Sequence, residues 1–176
     1  PVHHQSSVVS RVSVRVYLCQ VLSFAMVLSA LNADNPVLQG FAFYASILII
    51  KMMLMAILTG MQRFRKKAFI SPEDAAAFKG EVKMEDPDVE RVRRAHLNDL
   101  ENIPIFLVTG FLFVLSDPDV VVALMFFRLF TLARIIHTFV YAIYVVRQPA
   151  RAVAFGVGQL ITLVMVIMII VKFHQL

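Results

Sequence analysis

Residues 88–102 read DVERVRRAHLNDLEN and run directly into the apolar stretch IPIFLVTGFLFVL at residues 103–115. A helix turns about 100° per residue, so four polar side chains of the first stretch fall within about 80° of one another. These four are Glu90, Arg94, Asn98 and Glu101. A charge that faces hydrocarbon costs several kcal/mol. We therefore expect this polar face to point into a helix bundle or a water-filled cavity and to carry function; the alternative is that it only makes interhelical salt bridges.

The composition is that of an integral membrane protein. Hydrophobic residues make up 59% and charged residues 16% of the 176 residues, and the mean hydropathy is +0.76. Ordinary soluble domains have roughly 45–50% apolar and 25% charged residues. The net charge of +5 does not indicate nucleic-acid binding, because Lys and Arg cluster beside the apolar runs, where the positive-inside rule explains them.

The hydrophobic pattern predicts an all-α membrane protein, an up-down bundle of four transmembrane helices. Met26 is interpreted as the natural start, so that residues 1–25 form an extension outside the fold and residues 26–176 the four-helix domain. The four spans are predicted at about residues 36–59, 97–115, 120–146 and 152–171.

Basic residues predict the orientation of the bundle. The sequence RFRKK follows the first span at residues 63–67, and Arg147 and Arg151 precede the fourth span. The positive-inside rule places these ends in the cytosol and both termini in the lumen. The polar loop at residues 75–87 is a candidate lid or rim over a site on the cytosolic side.

Polar groups inside the other spans should meet the polar face. Lys51 lies well inside the first span and is expected to pair with an acidic group, while Arg134, His137 and Tyr141 share one face of the third span. Several arginines beside an Asn, a Glu, a His and a Tyr suit a small, multiply charged anion, because Arg binds carboxylates in bidentate fashion.

No familiar nucleophile or metal motif accompanies these groups. The sequence has no G-x-S-x-G, H-E-x-x-H or P-loop. The single Cys19 excludes an intrachain disulfide and a multi-Cys metal site, and His96 and His137 lack an acidic partner at metal-binding spacing. No metal is therefore predicted, and the remaining chemistry is electrostatic: a guanidinium that stabilises an anion such as a thiolate.

Three stretches resemble the MAPEG superfamily, and within it the microsomal glutathione transferases most. They are ERVRRAHLNDLEN at residues 90–102, RKKAF at 65–69 followed by PED at 72–74, and FRLF at 127–130 followed by ARIIHT at 133–138. The resemblance extends from about Phe41 to the C-terminus. It implies a homotrimer in the endoplasmic reticulum membrane, with the mitochondrial outer membrane as a second location, and glutathione bound as co-substrate between neighbouring protomers near the cytosolic face.

The resemblance also implies roles for individual residues. Glutathione would be held by Arg63, Arg94, Asn98, Glu101, His137 and Tyr141, and Arg151 would be the catalytic residue that stabilises its thiolate. Lys51, near Glu101, and Arg134 would be buried structural charges. Ala152 stands where the prostaglandin E synthases of the family have a serine, and Ala75 where the broad transferase has a reactive cysteine. Ala152 therefore disfavours prostaglandin synthesis, and activation by thiol modification is not expected.

The predicted function is a membrane-bound transferase that conjugates glutathione to lipophilic electrophiles and reduces lipid hydroperoxides with glutathione. Two alternatives remain open within the family: a prostaglandin E synthase-type isomerase acting on an endoperoxide, and a non-catalytic lipid-binding scaffold. The predicted partners are these substrates, membrane lipid and further copies of the chain, but no nucleic acid. A transporter is disfavoured, because the sequence lacks the paired broken helices of the usual repeat architecture.

Overall fold

The computed structural model describes residues 24, 25 and 27–174. The predicted extension over residues 1–25 and the predicted start at Met26 lie outside the described residues, apart from the helical residues Phe24 and Ala25. In chain order the main elements are α1 (Pro36–Lys66), β1 (Ala68–Phe69), α2 (Pro72–Ala77), β2 (Glu81–Val82), α3 (Pro87–Leu115), α4 (Val120–Thr138), a π-helical segment (Phe139–Ile143) and α5 (Ala150–His174).

Four helical stretches in the described part of the chain are long and apolar enough to cross a membrane. The prediction of a helical membrane protein with four potential spans is thereby confirmed. Helix α1 continues beyond the first predicted span to Lys66, and α3 begins ten residues before the second, at Pro87. The third predicted span reached Val146, whereas α4 gives way to the π-helical segment and regular structure ends at Ile143.

Asparagine and aspartate side chains begin three of the long helices. Oxygens of Asn35, Asp86 and Asp119 accept hydrogen bonds of 2.9–3.3 Å from backbone N–H groups in the first turns of α1, α3 and α4. These bonds satisfy donors that the helix cannot satisfy itself. Burial would raise the pKa of the Asp86 carboxyl, but the Lys83 ammonium and the capped N–H groups hold it below its ordinary value.

Side chains of all four long helices build the core of the bundle. The rings of Phe106 on α3 and Phe130 on α4 stack with their centroids 3.7 Å apart, and Leu48 of α1 and Met165 of α5 are fully buried in the same cluster. In lipid such packing gains from dispersion contacts rather than from the hydrophobic effect, because hydrocarbon is as apolar as leucine. The core therefore favours close contact between the helices.

Residues 67–86, here called the platform, connect α1 to α3. Strands β1 and β2 pair in parallel, and the Phe69 ring packs against Phe64 and Phe78 with centroids 5.5 and 5.6 Å apart. The all-α prediction missed this sheet, because strands of two residues leave no alternating pattern in a sequence.

Gly110→Ala is expected to destabilise the bundle. A Cβ at position 110 would lie 2.6 Å from the Phe41 ring and 3.7 Å from the Phe127 ring, and such overpacking costs about 1–3 kcal/mol. The midpoint of thermal unfolding of the detergent-solubilised protein should therefore fall. Gly156→Ala is the matched control, since a Cβ there meets no atom within 4 Å. Equal midpoints for the two variants would contradict the packing of α1 against α3.

Candidate active site

The Asp99 carboxylate lies fully buried where α1, α3 and α4 meet. It pairs with the Lys51 ammonium of α1 and with the Arg134 guanidinium of α4, whose Nη2 and Nε donate to Oδ1 at 2.5 and 3.2 Å. The Thr138 hydroxyl donates to Oδ2 at 3.5 Å. A charge that is buried this deeply requires partners. We call Lys51, Asp99, Arg134 and Thr138 the ion cluster.

The expected position of Lys51 near Glu101 was wrong. Lys51 pairs with Asp99, which precedes Glu101 by two residues and therefore lies about 160° away around α3. Asp99 itself was not predicted as a site residue. The sequence carried a signal for it, because Asp99 continues the stripe of apolar positions formed by Val92 and Ala95, where a charge in a membrane helix requires a partner. All three side chains of this stripe are buried.

A cavity of about 440 Å³ lies where α3, the π-helical segment and the start of α5 meet. It is lined by Arg94, Leu97, Asn98, Glu101, His137, Tyr141, Gln148, Arg151, Ala152 and Phe155. The structure thus brings together six of the seven residues predicted to bind or activate the ligand.

The seventh predicted residue, Arg63 on α1, is not a lining residue of this cavity. Its Nη1 is buried and has no hydrogen-bond partner in the described part of the chain. The platform, which includes most of the predicted lid, also contributes no lining residue. Sequence reasoning missed Leu97, Gln148 and Phe155. Phe155 could have been found, because it follows Arg151 by four residues and so shares its helix face.

Buried polar atoms in the cavity wall lack partners. His137 Nδ1 and Arg151 Nε are buried and make no hydrogen bond within the described residues. An unmade hydrogen bond of this kind costs about 1–3 kcal/mol. The Arg151 guanidinium carbon lies 4.8 Å from the centroid of the Tyr141 ring, a cation–π contact that supports its position.

Asn98 connects the cavity to the ion cluster. Its Oδ1 accepts a hydrogen bond of 2.7 Å from Arg134 Nη2, while the side chain lines the cavity. Its backbone carbonyl accepts a bond of 2.6 Å from Asn102 Nδ2, and Gln159 Nε2 of α5 donates to Asn102 Oδ1 at 2.7 Å. The cavity wall is therefore joined by polar contacts to α4 and α5.

Comparison with known proteins identifies relatives over most of the chain. The model of the MAPEG family matches residues 41–171. The chain is 52% identical to microsomal glutathione S-transferase 1 of Mus musculus and 50% identical to that of Homo sapiens, in each case over 137 residues that cover 75% of this chain and 88% of the relative. It is 42% identical over 132 residues to the prostaglandin E synthase of Homo sapiens, which covers 74% of this chain and 86% of the relative.

Asp99→Asn is expected to destabilise the protein strongly. The substitution keeps the shape of the side chain but leaves two buried cations without a carboxylate, and breaking a buried pair costs about 3–5 kcal/mol. Thermal unfolding of the detergent-solubilised protein would show a large fall in the midpoint. Lys66→Met is the control, because it removes the more exposed Lys66–Asp88 pair, and exposed pairs contribute little. A midpoint as high in Asp99→Asn as in Lys66→Met would show that the ion cluster does not stabilise the bundle.

Proposed function

The chain belongs to the MAPEG family, and from that premise we propose that it is a membrane-bound glutathione transferase that conjugates glutathione to lipophilic electrophiles. The observation that carries this proposal is the cavity, in which two arginines, an Asn and a Glu meet the buried His137. Glutathione carries two carboxylates, one ammonium group and one thiol. Guanidinium groups bind carboxylates, and the Glu101 carboxylate offers an acceptor to the ammonium group.

Arg151 is the catalytic residue in this proposal. Arg151 lines the cavity, so its guanidinium charge lies beside a thiol that is bound there. A positive charge and a hydrogen bond that favour the thiolate lower the pKa of the bound thiol. The thiolate then attacks the electrophilic carbon: the sulfur–carbon bond forms, and the leaving group departs with its bonding electron pair. The polar lining residues hold the tripeptide. The side chains of Leu97 and Phe155 form an apolar wall for the second substrate.

The assembly and location are also part of the proposal. The resemblance to the family supports a homotrimer in which glutathione binds between neighbouring protomers. Arg63, which lies outside the cavity of its own chain, would then reach the site of the next protomer. The relatives are named microsomal, which supports the endoplasmic reticulum membrane, with the mitochondrial outer membrane as a second location. The same thiolate would reduce lipid hydroperoxides, with two glutathione molecules converting one hydroperoxide into an alcohol, water and glutathione disulfide.

A second candidate function is isomerisation of a cyclic endoperoxide, which is supported by the similarity to prostaglandin E synthase. Ala152 next to Arg151 offers no hydroxyl group to this cavity, which favours the transferase. Incubation with glutathione and either an aryl halide or a prostaglandin endoperoxide, followed by product analysis, separates the two. We expect rapid formation of the glutathione conjugate from the aryl halide. If only the endoperoxide were converted, the protein would be an isomerase instead.

Arg151→Ala is expected to abolish thiolate formation and to lower kcat/KM for conjugation by about 100-fold, as the loss of one preorganised donor to a developing anion does. Stopped-flow absorbance of the thiolate after mixing with glutathione is the measurement. Arg147→Ala is the matched control, because Arg147 is an exposed arginine four residues earlier that does not line the cavity. Equal signals from both variants would remove Arg151 from the mechanism, and the absence of glutathione binding to the unmodified protein would favour the lipid-binding scaffold.

A further inference from the structure

The Asn98 side chain has a defined orientation in the cavity wall. Its amide has one end that accepts hydrogen bonds and one that donates them. The group that faces it across 2.7 Å is Nη2 of Arg134, and a guanidinium group has donors only. The facing atom must therefore be Oδ1. The Nδ2 group then points away from Arg134, and it makes no hydrogen bond to any residue in the described part of the chain.

Arg134 cannot easily leave this position. Its side chain is 1% exposed, and Nη2 and Nε both donate to Oδ1 of the fully buried Asp99. The other carboxylate oxygen of Asp99 is occupied by Lys51 and Thr138. The guanidinium is thus fixed on one side by Asp99 and presents Nη2 to Asn98 on the other. A residue that bonds a cavity-lining side chain from behind, as Arg134 bonds Asn98, commonly orients that side chain toward a ligand.

We propose that Arg134, held by Asp99, is a positioning residue that fixes the Asn98 amide as a hydrogen-bond donor to an anionic oxygen of bound glutathione. The inference rests on the function proposed above. Without Arg134 the amide can turn over and present Oδ1 to the cavity, where an acceptor repels an anion. The ion cluster would then serve ligand affinity as well as stability, through Asn98, which lies outside the cluster and lines the cavity.

A double-mutant cycle on glutathione binding tests this inference, because residues that act through one another are not additive. The dissociation constant is measured by calorimetry on the full, detergent-solubilised chain for Asn98→Ala, Arg134→Lys and the double variant. Lysine keeps the charge that Asp99 requires but cannot bridge Asp99 and Asn98. Each single variant should weaken binding about tenfold, the effect of one lost hydrogen bond to a charged group. The double variant should bind no more weakly than Asn98→Ala.

Two further variants sharpen the result. Asn98→Asp keeps an oxygen that accepts from Arg134 but removes the N–H donor. It should bind glutathione at least as weakly as Asn98→Ala. Arg128→Lys is the matched control on α4, since Arg128 is exposed, bonds Tyr44 at 3.2 Å and does not line the cavity. The dissociation constant of glutathione for Arg128→Lys should equal that for the unmodified protein. In Arg134→Lys, kcat at saturating glutathione should change by less than about twofold.

The outcomes are distinct. Multiplicative losses in the double variant, or unimpaired binding by Asn98→Asp, would overturn the inference while the transferase proposal stands. If the unmodified protein bound no glutathione, both the proposed function and this inference would fall together. A loss in Arg134→Lys that disappears in the Asn98→Ala background would establish that Arg134 acts through the Asn98 amide.

Discussion

A buried carboxylate that requires two cations from two other helices determines how this bundle fits together. Asp99 of α3 is neutralised by Lys51 of α1 and Arg134 of α4. Helix association in lipid depends on dispersion contacts and on polar contacts between helices. A shift of one residue turns a helix by about 100° and would leave a charge unpaired in hydrocarbon, at a cost of several kcal/mol. The ion cluster therefore specifies the rotation of three helices, in addition to the close packing at Gly110.

The geometry of the candidate active site depends on the pairing of Asp99 with Lys51 and Arg134. Helix α3 buries Ala95 and Asp99 on one face and lines the cavity with Arg94, Asn98 and Glu101 on the other. Because both faces belong to one rigid helix, fixing Asp99 against α1 and α4 also fixes the height and rotation of the three cavity residues. Asn98 adds a direct contact, since it bonds Arg134 from within the cavity wall. The packing of the bundle and the geometry of the cavity wall therefore depend on the same few side chains.

Features that depend on one helix at a time were predictable from the sequence. The four potential spans follow from hydropathy, and the polar face of α3 follows from helical periodicity. Features that depend on how two helices are rotated against each other were not. Periodicity gives the angle between Asp99 and Glu101 but does not say which of them meets Lys51. The same limit applies to Arg63, whose distance from the cavity depends on where the end of α1 lies relative to α3.

The end of α4 shows how a local departure from α-helical geometry completes the site. Tyr144 N–H bonds the carbonyl of Phe139 at 2.8 Å, the i→i+5 pattern of a π-helix, which holds one more residue per turn and rotates the residues after it. Tyr141 lies within this turn, and its ring lies 5.5 Å from the His137 ring and beneath Arg151. The residues FVYAI would fit an α-helix equally well, so their type does not reveal the distortion. The π turn determines the direction in which the Tyr141 side chain leaves the backbone. It therefore also determines where the Tyr141 ring makes its cation–π contact with the Arg151 guanidinium.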